Sequence, residues 1–238
     1  MSSPRGRSAC GCAVLFFVGA ALWPAHANTP SPASLSLAQI LTSMEHHNQV
    51  QRAALKHYRA VRQYRVEYQG ITTIAASMSV EFNYDAASGK SFRIVSQSGS
   101  KILSDKILKR AMDSEIEASK DNGASALTPA NYRFQFEGSE SLNGRPAYIL
   151  SVEPLTGSKF LYRGKVWVDA TDFAVAKIEA APAKNPSFLI SRTLVQWTYA
   201  KTGNYWMPQL SHSESKVRIG GTAVLTIDYG AYQINGGS

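Results

Sequence analysis

From Tyr64 onward, apolar and polar residues alternate with a period of two, in segments that recur roughly every ten residues. Tyr64, Val66 and Tyr68 alternate with Arg65, Glu67 and Gln69. Met78, Val80, Phe82 and Tyr84 alternate with Ser79, Glu81, Asn83 and Asp85. Tyr132, Phe134 and Phe136 do the same with Arg133, Gln135 and Glu137. Neighbours in a strand point to opposite faces, so each segment has one covered face and one wet face. The same reading predicts strands over 92–97, 147–153, 159–169, 173–180, 188–200, 205–218 and 222–232. Short polar turns separate them, among them Asn143-Gly144, Asp169–Asp172, Gly203-Asn204 and Gly220-Gly221. Connections this short leave no room for crossover helices, which argues for one antiparallel sheet.

Two stretches carry a helical period instead. Ser36 and Gln39 fit a capping box, and Leu37, Ile40, Leu41, Met44, Leu55, Tyr58 and Val61 follow one helical stripe, interrupted by Gln51. This predicts a helix, or two in succession, to about residue 62, with Arg52, Arg59 and Arg62 off the apolar stripe. A second helix is predicted from about Lys101 to Lys120, ended by Asp121-Asn122-Gly123. The class is therefore α+β, mainly β.

The first residues read as an export signal. Arg5 and Arg7 precede an apolar run from Ala9 to Trp23, and Ala25-His26-Ala27 supplies small residues for cleavage after Ala27. The expected organisation is a signal peptide over 1–27, a linker over 28–35 and a single domain over 36–238, in the periplasm. Both cysteines, Cys10 and Cys12, fall inside the signal, so the exported chain is expected to carry neither lipid anchor nor disulfide. Its stability must then come from its core. Loss of Arg5 and Arg7 lowers the formal charge from +8 to +6. The remaining cations are scattered and no nucleic-acid motif accompanies them, so nucleic acid is set aside as a partner.

Catalytic constellations are hard to assemble from this chain. His46 and His47 diverge on a helix, His57 and His212 stand apart, and no metal or other cofactor is expected. Ser211-His212-Ser213 alternates across a strand, so base and hydroxyl point to opposite faces. Asp169 with Asp172 belongs to a turn, and Glu115 with Glu117 and Glu137 with Glu140 read as surface pairs. No nucleophile elbow or phosphate loop occurs, so the chain is not expected to be an enzyme. What stands out is the aromatic content of the strands. One large sheet with about two helices has more apolar face than the helices can seal, leaving it to curl or to keep a cavity.

The run Leu161-Tyr162-Arg163-Gly164-Lys165-Val166-Trp167-Val168-Asp169-Ala170-Thr171-Asp172-Phe173-Ala174-Val175-Ala176-Lys177-Ile178-Glu179 resembles the paired strands of the LolA-like outer-membrane lipoprotein-sorting proteins. Asn143-Gly144-Arg145-Pro146-Ala147-Tyr148 and Leu127-Thr128-Pro129-Ala130-Asn131-Tyr132 add to the likeness, which spans roughly residues 36–235. The resemblance implies a single strongly curved antiparallel sheet, an unclosed half-barrel, with helices across its concave side. It implies a monomeric periplasmic carrier that shields the acyl chains of lipid or lipoprotein, with inner- and outer-membrane proteins as partners. The same fold in stress-signalling members leaves an envelope regulatory or interaction protein as the alternative, with a hydrolase behind both. The residues expected to line the cavity are Tyr64, Val66, Tyr68, Val80, Phe82, Tyr132, Phe134, Phe136, Val166, Val168, Leu225 and Ile227.

Overall fold

A computed structural model describes residues 35–120, 123–185 and 187–235. The signal segment and nearly all of the linker expected from the sequence lie outside the described residues. The first helix, α1 (Leu37–Ala54), starts where the capping box places it: the Ser36 Oγ accepts the Gln39 N–H, and the Ser36 N–H donates to Gln39 Oε1 at 2.8 Å. It ends at Ala54, eight residues short of the expected end, because β1 (His57–Gln69) begins there. Tyr58 and Val61 fit a helical stripe as well as a strand. Pairing with a neighbour along the whole of 57–69 decides in favour of the strand. Asn235 pins the junction. Its Oδ1 accepts the Lys56 and His57 N–H groups, while its Nδ2 donates to the Ala54 carbonyl and the Tyr205 hydroxyl.

After β1 come β2 (Thr73–Asp85) and β3 (Gly89–Gly99), then α2 (Lys101–Leu103), a π-helical turn (Ser104–Leu108) and α3 (Lys109–Ser119). The π turn has a visible purpose. Leu103 and Leu108 are five residues apart, a spacing that an i→i+5 turn returns to one side, and both are buried against the sheet together with Met112. The remaining strands are β4 (Tyr132–Leu142), β5 (Arg145–Pro154), β6 (Tyr162–Asp169), β7 (Val175–Pro182), β8 (Ile190–Thr202), β9 (Tyr205–Val217), β10 (Thr222–Asp228) and β11 (Tyr232–Ile234). Phe160, Phe173 and Phe188, expected within strands, lie in the loops before them. Asn143 and Gly144 both take positive φ, as the two-residue turn joining β4 and β5 requires.

All eleven strands form one antiparallel sheet in the order β3-β2-β1-β10-β9-β8-β7-β6-β5-β4, with β11 beside the first half of β1. Strands consecutive in the chain are neighbours in the sheet from β1 to β10 except β3 and β4, its two edges, while β11 pairs with β1 and not with β10. The helical segment 101–119 spans that break, so the sheet does not close into a barrel.

Gly164 marks a close approach between β6 and β7. A methyl group placed there would lie 2.2 Å from the Glu179 carbonyl oxygen and 2.6 Å from the Ala180 Cα, both on the partner backbone. Neither can yield without breaking the ladder. Gly164→Ala is expected to destabilise the fold by about 3 kcal/mol, read as a fall in Tm of roughly 10 °C in thermal unfolding.

Candidate ligand-binding face

Directly opposed residues in an antiparallel sheet share a face, so the register maps the sheet row by row. One row runs Met78, Tyr64, Ile227, Ser211, Trp197, Ile178, Val166, Leu150, Phe136. The next runs Ala76, Val66, Leu225, Ser213, Val195, Ala180, Gly164, Val152, Phe134 across the same nine strands. Both helical segments pack on this face. Leu103, Leu108 and Met112 form one core with Tyr64, Val66, Met78, Val80 and Ile227. Ile40 and Met44 of α1 form a second with Tyr132, Phe134, Leu150, Val166 and Val168.

The twelve residues singled out from the sequence all lie on this face, but divide between the two cores. Tyr64, Val66, Val80 and Ile227 are buried beneath the second helical segment, with Tyr68 and Leu225 half-buried at the margin. Phe82 is fully buried nearby, against Arg62. Tyr132, Phe134, Val166 and Val168 are buried beneath α1, whereas Phe136 stands exposed. The middle of the face has a different character. Strands β8 and β9 give no residue to either helix-built core. Their part of the face consists of Val195 and Trp197, both half-buried, beside a column of hydroxyls at Ser211, Ser213 and Ser215. Thr193 and Ser215 share a hydrogen bond at 2.9 Å. Trp197 meets the edge of Tyr162 at 4.8 Å between ring centroids. Burial pushes the Tyr162 and Tyr199 hydroxyls up to about 12, although both side chains keep some access to solvent. Depressions of about 410 and 430 Å³ open on the other face, around Arg59 and Glu81 and around Arg133 and Arg163.

One polar group on this face escaped the sequence reading. Arg62, assigned there to the wet side of a helix, lies on β1 opposite Val80 and is 1% exposed. Its Nη1 donates to Glu115 on α3 at 2.8 Å, and Lys90 on β3 reaches the same carboxylate at 3.0 Å. Its guanidinium lies 3.5 Å from the centre of the Phe82 ring and 4.6 Å from that of Tyr229. Arg62 Nε and the Tyr64 hydroxyl are buried with no partner. Glu115 is accordingly not a surface residue. It is the anchor through which the second helical segment is held to the sheet. The signal was present in the alternation Ala60, Arg62, Tyr64, which extends the strand pattern back into the expected helix. Gln51, the polar break in the first helical stripe, anchors α1 in a similar way. Its amide accepts the Trp206 N–H at 2.9 Å and donates to the Trp206 carbonyl at 3.0 Å.

The arrangement offers binding surface but little chemistry. His212 touches Thr226 on the opposite face from Ser211 and Ser213, so neither hydroxyl meets it. Asp169 accepts the Thr171 and Asp172 N–H groups of its own turn and pairs with Arg145. Asp172 accepts the Trp206 indole N–H at 2.9 Å and pairs with Lys201. Among the described residues, no group of three or more histidine, cysteine or acidic side chains is placed to hold a metal ion. No described helix is long and apolar enough to cross a membrane.

Burial pushes the Glu115 carboxyl up, but Lys90 and Arg62 more than offset this and hold it below the usual carboxylate range. A lowered folded-state value means the ion pair stabilises fully above about pH 4.5 and is lost as the pH falls below that. Glu115→Gln leaves Arg62 buried without its counter-ion and is expected to cost about 3 kcal/mol near pH 7. Urea unfolding of both proteins should show the gap narrowing as the pH falls below about 4.5 and the wild-type carboxylate is itself neutralised.

No protein-family model and no curated protein matches the chain. Solved structures do. A DUF1329 family protein from Desulfovibrio piger aligns over 86% of this chain and 95% of its own, at 11% identity and a TM-score of 0.45. A LolA superfamily protein from Nitrosomonas europaea aligns over 86% and 96%, at 11% identity and a TM-score of 0.36. The lipoprotein LppX from Mycobacterium tuberculosis aligns over 85% and 98%, at 13% identity and a TM-score of 0.29.

Proposed function

We propose that the chain is exported after cleavage at Ala27 and acts in the periplasm as a non-enzymatic carrier of acyl chains from lipid or lipoprotein. In this reading the sheet bends around its helix-bearing face, and the two helical segments cover parts of the resulting trough. The observation that carries this reading is the strip formed by β8 and β9. It holds Trp197, Val195 and the serine column on the helix-bearing face, yet contributes to neither helix-built core.

The energetics suit such a guest. Each methylene removed from water contributes about 0.8 kcal/mol, so a long acyl chain gains on the order of 10 kcal/mol gross. Displacing a helical segment offsets much of it, since Leu103, Leu108 and Met112 must give up packing for the guest to reach the sheet beneath them. Loading and release are then a balance between two apolar partners for one surface, with the Arg62–Glu115 pair fixing where the second segment returns.

Organic extracts of protein purified from its native host are expected to contain acylated molecules by mass spectrometry. A fluorescent fatty acid should quench Trp197 and displace that cargo. Trp197→Ala should weaken its binding about tenfold, through loss of a large aromatic contact. Empty protein that neither yields nor accepts an acyl chain, in wild type and variant alike, ends this reading.

A further inference from the structure

The two ends of the sheet differ sharply in the loops they present. The register puts Gln69 opposite both Thr73 and Thr222, Lys216 opposite both Thr222 and Arg192, and Tyr162 opposite Pro182. The loops over 70–72, 155–161, 183–189 and 218–221 therefore share one end. That end carries Ile71, fully exposed, Phe188 at 83%, Ile219 at 81% and Leu155 at 51%. The turns at the other end, over 86–88, 143–144, 170–174 and 203–204, hold no exposed large apolar residue among those described. The charges are as uneven. The four apolar-tipped loops contain Lys159, Lys184 and Arg218 and no acidic residue. Lys159 is paired with Glu117, whereas Lys184 and Arg218 make no ion pair among the described residues.

These tips are held in place. The Arg218 N–H donates to the Leu189 carbonyl at 2.7 Å, which ties the loop bearing Ile219 to the loop bearing Phe188. The Tyr68 hydroxyl donates to the Gly220 carbonyl at 2.8 Å, tying the same loop to the strand that leads to Ile71. The Asn185 side chain donates to the Ile190 and Ser191 carbonyls, bracing the loop that bears Phe188. These apolar side chains at separate loop tips stand exposed to water, with no cover among the described residues. Their placement beside Lys184 and Arg218, in loops that carry no acidic residue, matches an apolar layer beneath a negatively charged surface.

The geometry points to this end of the sheet as a docking surface for an anionic lipid bilayer: Ile71, Phe188 and Ile219 enter the interface while Lys184 and Arg218 meet the head groups. The inference does not rest on acyl-chain binding in the trough, and either reading can fail alone.

Co-sedimentation of the protein with vesicles of phosphatidylcholine containing about 30 % phosphatidylglycerol tests it. The wild type is expected to sediment with these vesicles and to be released by about 0.5 M sodium chloride. Lys184→Ser with Arg218→Ser should lower partitioning roughly 25-fold, about fivefold for each cation, on anionic vesicles only. Ile71→Ser with Phe188→Ser and Ile219→Ser should lower it at least about tenfold, since each tip loses its buried apolar area. All five side chains lie on the surface, so thermal unfolding and fatty-acid binding should stay as in the wild type, which separates this test from that of the trough. Equal partitioning of wild type and triple variant overturns the inference. So does absence of wild-type binding, including the case in which the same tips capture a protein partner instead.

Discussion

The pairing of β1 with β10 is the contact on which the rest of the structure depends. Strands β1 to β3 form one meander and β4 to β10 another, and only the seven opposed positions from Gln63–Asp228 to Gln69–Thr222 join them into one sheet. The partners lie more than 150 residues apart, so their loop-closure entropy is spent before any contact rewards it. Supports gather around this seam. β11 continues alongside β1, Asn235 ties the far end to the α1–β1 junction, and Tyr64, Val66, Leu225 and Ile227 meet across the ladder itself. Gly230 sits where β10 gives way to β11, with positive φ and the Val61 carbonyl oxygen 2.2 Å from where a side chain would begin. Only glycine lets the chain follow β1 through that point.

Much of this was legible because strand alternation is a local property. The pattern at Tyr64, Val66 and Tyr68 determined which face of β1 turns inward, and Asn143-Gly144 demanded its turn type. The same locality explains the errors. Tyr58 and Val61 satisfy a helical spacing and a strand equally well, and only the partners Tyr84 and Glu81, 26 and 20 residues away, decide between them. Arg62 was misplaced for the same reason. A charged residue is read as wet unless its counter-ion is known, and Glu115 stands 53 residues further along. The strip on β8 and β9 was harder still. Its serines are unremarkable in sequence, and their meaning comes from the rows of neighbours that only the full register supplies.

The two helical segments are fastened differently, which matters for any movement they make. The segment 101–119 combines an apolar stripe, re-phased by its π turn, with one charged anchor into a cage of aromatic rings. A buried ion pair adds little net stability relative to an apolar substitute, but it penalises every other placement of the two charges. It therefore acts on where the segment docks more than on how strongly. By contrast, α1 is fastened at its last turn by the Gln51 amide bonded to the Trp206 backbone, and at its end by Asn235.

The break between β3 and β4 has a consequence for life in a crowded compartment. An unclosed sheet keeps two rows of unsatisfied N–H and C=O groups, each able to recruit a strand from another molecule. Both borders are defended in the covalent sequence. The register slips between Ser79 and Val80 beside β3 and between Phe136 and Gly138 within β4, so neither border offers an uninterrupted template. Lys90 and Arg93 stand along one, and Arg133, Glu137 and Glu140 along the other. An open sheet is thereby kept from becoming a sticky one.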